Sequence, residues 1–172
     1  MTLFFKSLPS PVGEIRIYAD ELALVGLYIG QPFKIGRYPS FPQVEEKQTA
    51  LLRLAEEELK AYFAGRLRTF TVPVRTAGTD FQKAVWKNLQ TIGFGELRTY
   101  GDVAGAIDRP TAVRATGGAI GRNPVSIIIP CHRVIGKDDS LTGFGGGLPV
   151  KKRLLELEGH AVRNSIVDKA RS

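Results

Sequence analysis

Near residue 78 the spacing of apolar residues along the chain changes, and that change limits the folds open to it. Before it, short apolar runs alternate with turn residues: LFFKSL, a turn at 9–13, EIRIYA with Ile15, Ile17 and Ala19 on one face, then LALVGLYI. This predicts an antiparallel meander over residues 3–29. In residues 49–63, Leu52, Ala55, Leu59 and Phe63 recur at helical spacing while Glu56, Glu57 and Lys60 face away, and Gly65 supplies a stop. The segment 70–78 starts like a strand and exits at a glycine, which places a boundary there.

Beyond it the pattern is helical. Thr79 and Gln82 have the spacing of a capping box, and Phe81, Val85 and Leu89 share a face up to Gly93. Two short helices are expected at 100–107 and 111–121, separated by Asp108, Arg109 and Pro110, a separation suited to a helix-turn-helix corner. SIIIP reads as a buried extended run ending at Pro130. A loop closing in GFGGG follows, then a last helix with Pro149 in its first turn and Gly159 as its stop. HAVRNSIVDKARS has little periodicity and reads as a frayed tail. The expectation is an α+β chain divided as 1–78, 79–159 and a tail at 160–172.

The sequence has 172 residues, 43% of them hydrophobic, enough for one large domain or two small ones without disulfide staples. A single cysteine, Cys131, excludes an internal disulfide, and with only His132 and His160 beside it a tetrahedral zinc site is not expected. No metal and no cofactor are therefore anticipated. The opening MTLFFKSLPSPVGE fits neither a signal peptide nor a membrane span, and the free thiol points to a cytoplasmic protein. The net charge of +7 suits a polyanionic partner without demanding one. No basic block stands out along the chain, so any binding patch must be assembled by folding.

Cys131 follows an apolar run and a proline and precedes His132 and Arg133, whose charge can lower a thiol pKa and supply a base. Position alone favours a buried small hydrophobe, and on an extended strand the Cys131 and His132 side chains would point apart unless the chain bends or a water bridges them. Arg114 stands among Ala112, Ala115, Gly117 and Gly118, small residues that let a helix approach another surface closely; it is either a projecting wedge or a solvated charge. So bare a helix lacks the polar side chains of sequence-specific readout. Glu158, at the end of the last helix, opposes the helix dipole unless a cation or an imidazole compensates, and a surface glutamate is the commoner explanation.

Taken together, these pieces resemble the O6-alkylguanine-DNA alkyltransferase family, the methylated-DNA–protein-cysteine methyltransferases. IPCHRV is that family's active-site hexapeptide, and FGELRTYGDVA, RATGGAIGRNP, IPCHRV and GFGGGLPVKKRLLELEG follow one another in its order across residues 79–159. The resemblance implies a small N-terminal α/β domain with an antiparallel, RNase H-like sheet. It also implies a mostly helical, winged helix-turn-helix-like C-terminal domain that holds the active site. The implied activity is single-turnover repair: O6-alkylguanine, and O4-alkylthymine as well, is flipped out of double-stranded DNA and its alkyl group moves irreversibly to Cys131.

By the same resemblance His132 takes the thiol proton through a water, Glu158 orients His132, and Asn123 braces the turn between recognition helix and active-site strand. Tyr100 protonates the leaving guanine and presses on the neighbouring phosphate. Arg114 fills the gap left in the duplex, with Thr99, Thr111, Ala112, Ala115 and Gly118 along the DNA. Backbone groups of Val134 and Gly145 read the guanine edge, and Phe144, a tyrosine in some members, forms part of the pocket wall. Some members carry an N-terminal zinc site, which this composition cannot supply. The implied partner is duplex DNA, bound at the nucleoid by a monomer, singly or with several molecules binding cooperatively, and with no membrane involved. A non-catalytic lesion sensor or helix-turn-helix regulator is the competing reading, and a thiol hydrolase built on Cys131, His132 and Glu158 a third.

Overall fold

The structure, a computed structural model, describes residues 2–30 and 43–169. The chain divides into two units, one running to Ala77 and including Pro124–Ser126, the other formed by Gly78–Asn123 and the residues from Ile127 onward.

In the first unit, β1 (Thr2–Leu8), β2 (Ile15–Ala19) and β3 (Leu24–Ile29) form the antiparallel meander, in a register that sets Phe4 opposite Ala19 and Leu8 opposite Ile15. A fourth strand, β4 (Gln43–Glu46), pairs parallel to β1, so the sheet is mixed, with order β3-β2-β1-β4. QVEE gives no alternating apolar signal because its side chains are mostly exposed at the sheet edge. Helix α1 (Ala50–Phe63) starts at Thr49, whose hydroxyl accepts the Leu52 N–H at 3.2 Å. Its last turn buries Tyr62, while Phe63, expected on the buried face, is half-buried against the Tyr62 ring.

The strand start expected near residue 70 is not formed. Thr71 and Val72 instead give their N–H groups to the buried carboxylate of Glu58, at 2.9 and 3.1 Å, and only Val74 makes a bridge, to Leu24. Pro124–Ser126 also meets β3: Leu27 donates to the Pro124 carbonyl at 2.9 Å and accepts from the Ser126 N–H at 3.3 Å. These two short segments cover the edge of β3, which would otherwise leave unpaired donors and acceptors.

The second unit is mostly helical. Thr79 and Gln82 close a reciprocal capping box at the start of α2 (Asp80–Leu89), which buries Val85, Trp86 and Leu89. A two-residue strand β5 (Arg98–Thr99) leads directly into α3 (Tyr100–Ala106), and α4 (Val113–Gly121) follows. Six residues, 107–112, separate these helices where three were expected. A turn from the Arg109 carbonyl to the Ala112 N–H, at 2.9 Å, occupies Pro110 and Thr111, so Thr111 and Ala112 precede the helix. The Trp86 indole N–H donates to the Ala119 carbonyl at 2.9 Å and thereby ties α4 to α2. Gly78 makes room for this: a Cβ there would lie 2.8 Å from the indole ring.

Two further expectations need correction. SIIIP is a series of turns, with Ile127 at a φ of 71°, an unusual conformation for a β-branched residue. The run bends because Asn123 folds back on it, giving its side-chain N–H to the Ile129 carbonyl at 2.7 Å. Nor does the segment after Gly159 fray, since β7 (Ala161–Arg163) and β8 (Ile166–Asp168) form an antiparallel hairpin that buries Val162 and Val167. Its period is too short to register as a pattern, and the last part of the expected tail, 170–172, lies outside the described residues. Between them stand the two-residue strand β6 (Val134–Ile135) and helix α5 (Leu148–Leu157) with Pro149 in its first turn. Among the described residues no helix is long and apolar enough to cross a membrane.

Trp86→Phe removes the hydrogen bond to Ala119 and leaves part of a fully buried site empty. It is expected to lower stability by about 2–3 kcal/mol. Urea unfolding should show a reduced midpoint at unchanged slope; an unaltered midpoint would mean that α4 is held by other contacts.

Candidate active site

Cys131, His132 and Arg133 form a single 3-10 turn after Pro130, so the chain bends where a strand would have sent neighbouring side chains to opposite faces. All three are buried, with Cys131 at 6% exposure and His132 at 0%. Burial pushes the Cys131 thiol above its usual value, opposed by a hydrogen bond with Asn123 and by the Lys151 charge. At rest, then, Cys131 is a protonated thiol.

His132 Nε2 lies 2.9 Å from Glu158 Oε1. Arg133 grips the same carboxylate, Nε donating to Oε2 at 2.9 Å and Nη2 to Oε1 at 2.8 Å, and its Nη1 donates to the Ile92 carbonyl at 2.6 Å. Burial works against the charge on Glu158, but the hydrogen bonds from His132 and Arg133 and the Arg133 charge outweigh it and hold the carboxyl far below the usual range. Burial also lowers the His132 pKa, against the pull of Glu158, so the imidazole is neutral at neutral pH. The charge that keeps Glu158 ionised is therefore that of Arg133. An ionised carboxylate only accepts, which puts the imidazole proton on Nε2 and leaves Nδ1 as a bare lone pair. Nδ1 is buried and has no hydrogen-bond partner among the described residues.

Two parallel pairs, Arg98 with Val134 and Thr99 with Ile135, align β5 with β6 and so set Tyr100, the first residue of α3, against the strand that follows the cysteine turn. Burial raises the Tyr100 pKa, with a smaller contribution from Cys131, which keeps the phenol protonated. Its hydroxyl bonds the Thr142 carbonyl at 3.3 Å and accepts from the Thr142 hydroxyl at 2.8 Å. Lys151, fully buried, reaches the same Thr142 carbonyl at 2.9 Å and the Val134 carbonyl at 2.6 Å. Its desolvation lowers its pKa to about 8, against the opposing influence of Cys131.

The family model described as the 6-O-methylguanine DNA methyltransferase DNA-binding domain matches residues 80–160, and that of the ribonuclease-like domain of the same protein matches residues 3–76. A methylated-DNA–protein-cysteine methyltransferase of Haemophilus influenzae is 46% identical over 91% of this chain and 86% of its own. The chain belongs to the methylated-DNA–protein-cysteine methyltransferase family. A Methanosarcina acetivorans relative of the same name is 45% identical, over 91% of this chain and 99% of its own. Among solved structures, a Mycobacterium tuberculosis OGT in complex with DNA superposes with a TM-score of 0.81 at 40% identity, covering 92% of each chain. An O6-methylguanine-DNA methyltransferase from Pyrococcus kodakaraensis gives 0.65 at 26% identity, covering 91% of this chain and 99% of its own.

Within this methyltransferase, Cys131, His132, Glu158 and Asn123 come together around the cysteine turn, and Tyr100 joins through the β5–β6 pairing. Val134 is buried with its carbonyl engaged by Lys151, while Phe144 is half-buried and Gly145 exposed in the loop before α5. Thr99 caps α3 by accepting the Asp102 N–H at 3.1 Å. Arg114 and Ala115 are exposed on α4, and Gly117 lies close enough to the Tyr100 ring that a Cβ there would be 3.6 Å from it. Thr111 and Ala112 stand before that helix, and the Gly118 carbonyl accepts from Arg122 at 3.2 Å.

Sequence reasoning missed two members of the cluster. Arg133 counted only as a neighbour of the thiol, yet its guanidinium turns to Glu158. Lys151 was not singled out; a clue lay in its position on the buried face of α5, with Leu154 and Leu155.

Both shifted groups make the fold acid-sensitive. The folded pKa of Glu158 lies below its unfolded value near 4.5, so its contribution is present above that value and is lost as pH falls toward the folded one. His132, lowered from 6.5, acts in the same sense. Unfolding free energy should therefore decline below about pH 6.5 and more steeply below about pH 4.5. Glu158→Gln should flatten the lower part and destabilise the protein by about 3 kcal/mol at neutral pH, because Arg133 is left buried and unpaired. Urea melts at a series of pH values check this; an unchanged acid slope in the variant would count against it.

Proposed function

We propose that this protein repairs DNA by taking an O6-alkylated guanine out of the duplex and moving its alkyl group, once, to the sulfur of Cys131. The observation that carries the reading is the buried polar chain from the cysteine turn. An ionised Glu158, fixed by Arg133, holds a neutral His132 with Nδ1 free to accept a proton.

The thiol proton passes to His132 Nδ1 through a water, and Glu158 stabilises the resulting imidazolium. The thiolate attacks the alkyl carbon; the S–C bond forms as the C–O6 bond breaks, and the electron pair goes to the guanine. Tyr100, protonated at rest, donates its proton to the ring as that charge develops. Because the resting thiol is protonated and buried, it reacts slowly with free electrophiles and fast only when a substrate sits against it. The thioether product has no leaving group, so one molecule repairs one lesion and needs no cofactor.

A base inside the duplex is out of reach of a buried sulfur, so the nucleotide must be flipped, at a cost of a few kcal/mol that an inserted side chain partly offsets. Arg114, exposed among small residues on α4, suits that task. Ala112 provides no side-chain cap, which leaves the amides at the start of α4 for a phosphate. Val134, Phe144 and Gly145 then face the flipped guanine, and Thr99, Thr111, Ala115 and Gly118 lie along the backbone. The protein acts on duplex DNA as a monomer.

Incubation with duplex carrying O6-methylguanine should add one methyl mass to the peptide containing Cys131 and no second equivalent. Cys131→Ser should keep duplex affinity and abolish transfer. Methyl retained on the DNA with the wild-type protein would leave a lesion sensor or a regulator as the reading. Arg114→Ala should slow repair of duplex at least tenfold while reaction with the free base O6-benzylguanine is unchanged; equal losses on both would dismiss the wedge.

A further inference from the structure

The family model for the DNA-binding domain ends at residue 160, but the chain continues into the β7–β8 hairpin. Its two-residue turn, Asn164 and Ser165, has positive φ at both positions, 51° and 59°, the mirror-type turn whose twist matches that of the strands it joins. Arg163 faces Ile166 and Val162 faces Val167, so the hairpin register is defined.

β8 has partners on both of its edges. On the side away from β7, Ile166 forms an antiparallel bridge with Ser140. Flanking it, Leu141 N–H donates to the Ser165 carbonyl at 2.7 Å and Val167 N–H to the Asp139 carbonyl at 2.9 Å. Lys169 adds an ion pair with Asp139 at 3.0 Å. Beneath these bonds Val162 and Val167 share one core cluster with Ile135, Leu141 and Leu155. The residues so gripped open the loop that runs through Thr142, Phe144 and Gly145 to α5. Glycines at 143 and 145–147 give that loop little conformational restraint of its own. Lys151 and Tyr100 hold Thr142 from the other side, so its position is fixed between two sets of contacts.

We propose that the β7–β8 hairpin is a positioning element for the guanine pocket. It holds 139–141 through the Ser140 bridge and its two flanking hydrogen bonds and so sets where Thr142, Phe144 and Gly145 stand against the flipped base, without acting on the chemistry of Cys131. The inference rests on the reading of that loop as the guanine pocket given above. An element that only completes the fold would affect every reaction of Cys131 alike. A positioning element affects the reaction that needs the pocket and spares the one that does not.

The test compares two reagents on the full chain and on two variants. Free O6-benzylguanine must be seated in the pocket, whereas iodoacetamide needs only the sulfur. A chain ending at His160 should react with O6-benzylguanine at least tenfold more slowly, with a higher half-saturating concentration, and with iodoacetamide within twofold of the parent. Ending there also removes Val162 and Val167 from the core, so Val167→Pro supplies the second variant. It deletes the N–H that reaches Asp139 and keeps an apolar side chain of similar bulk. It should show a threefold or greater loss with O6-benzylguanine, an unchanged iodoacetamide rate and faster hydrogen exchange at the Leu141 amide. Parent-like O6-benzylguanine rates in Val167→Pro would overturn the proposal, as would parallel changes with both reagents. A parent that takes up iodoacetamide but never the benzyl group overturns the methyltransferase reading, and this proposal with it, before any variant is compared.

Discussion

The polar chain beside Cys131 depends on the carboxylate of Glu158. It is buried at the end of a helix, where the dipole disfavours a negative charge. Left alone there it would take up a proton and become a weak acceptor. Arg133 prevents this with a two-point grip, and the same guanidinium fastens the turn after α2 through the Ile92 carbonyl. An ionised Glu158 then dictates the tautomer of His132, and with it which nitrogen can receive a proton. Remove the charge on Arg133 and the imidazole has no fixed orientation.

A second buried cation makes a different contribution. The ammonium of Lys151 is satisfied by two backbone carbonyls and meets no carboxylate among the described residues. A charge so placed is expensive to bury, and its value lies in geometry: it joins β6, the loop at Thr142 and α5 at one point. With positive charge held near it, the site around Cys131 suits an anionic sulfur during reaction while burial keeps the resting thiol neutral. Reactivity and protection come from the same enclosure.

Much of this was legible in the sequence because the relevant signals are local. The Thr79–Gln82 capping box, Pro149 at the start of α5 and the order of the short motifs each involve residues a few positions apart, and each appears in the structure. What escaped depended on distant partners. SIIIP looked like a strand by composition, but Asn123 and β3 take its backbone groups and force a turn at Ile127. QVEE carries no alternation, yet pairs along β1. The short strands of the last hairpin show only one buried side chain each, too few to make a period. Arg133 and Lys151 were hidden for a related reason: the type of a charged residue says nothing of whether it faces water or a buried acceptor.

The excursion of Pro124–Ser126 into the first unit has a consequence for how the protein comes into being. A chain emerging from the ribosome presents residues 2–77 first, with the meander and α1 already able to pair. Part of the edge of β3, at Leu27, must then wait for a segment separated from it by the whole of α2, α3 and α4. Domains generally fold as units in order of synthesis. Here the earlier unit is finished by residues that arrive from the middle of the later one, so the two are interleaved in time, and a fragment ending at Ala77 would carry an open strand edge able to recruit other chains.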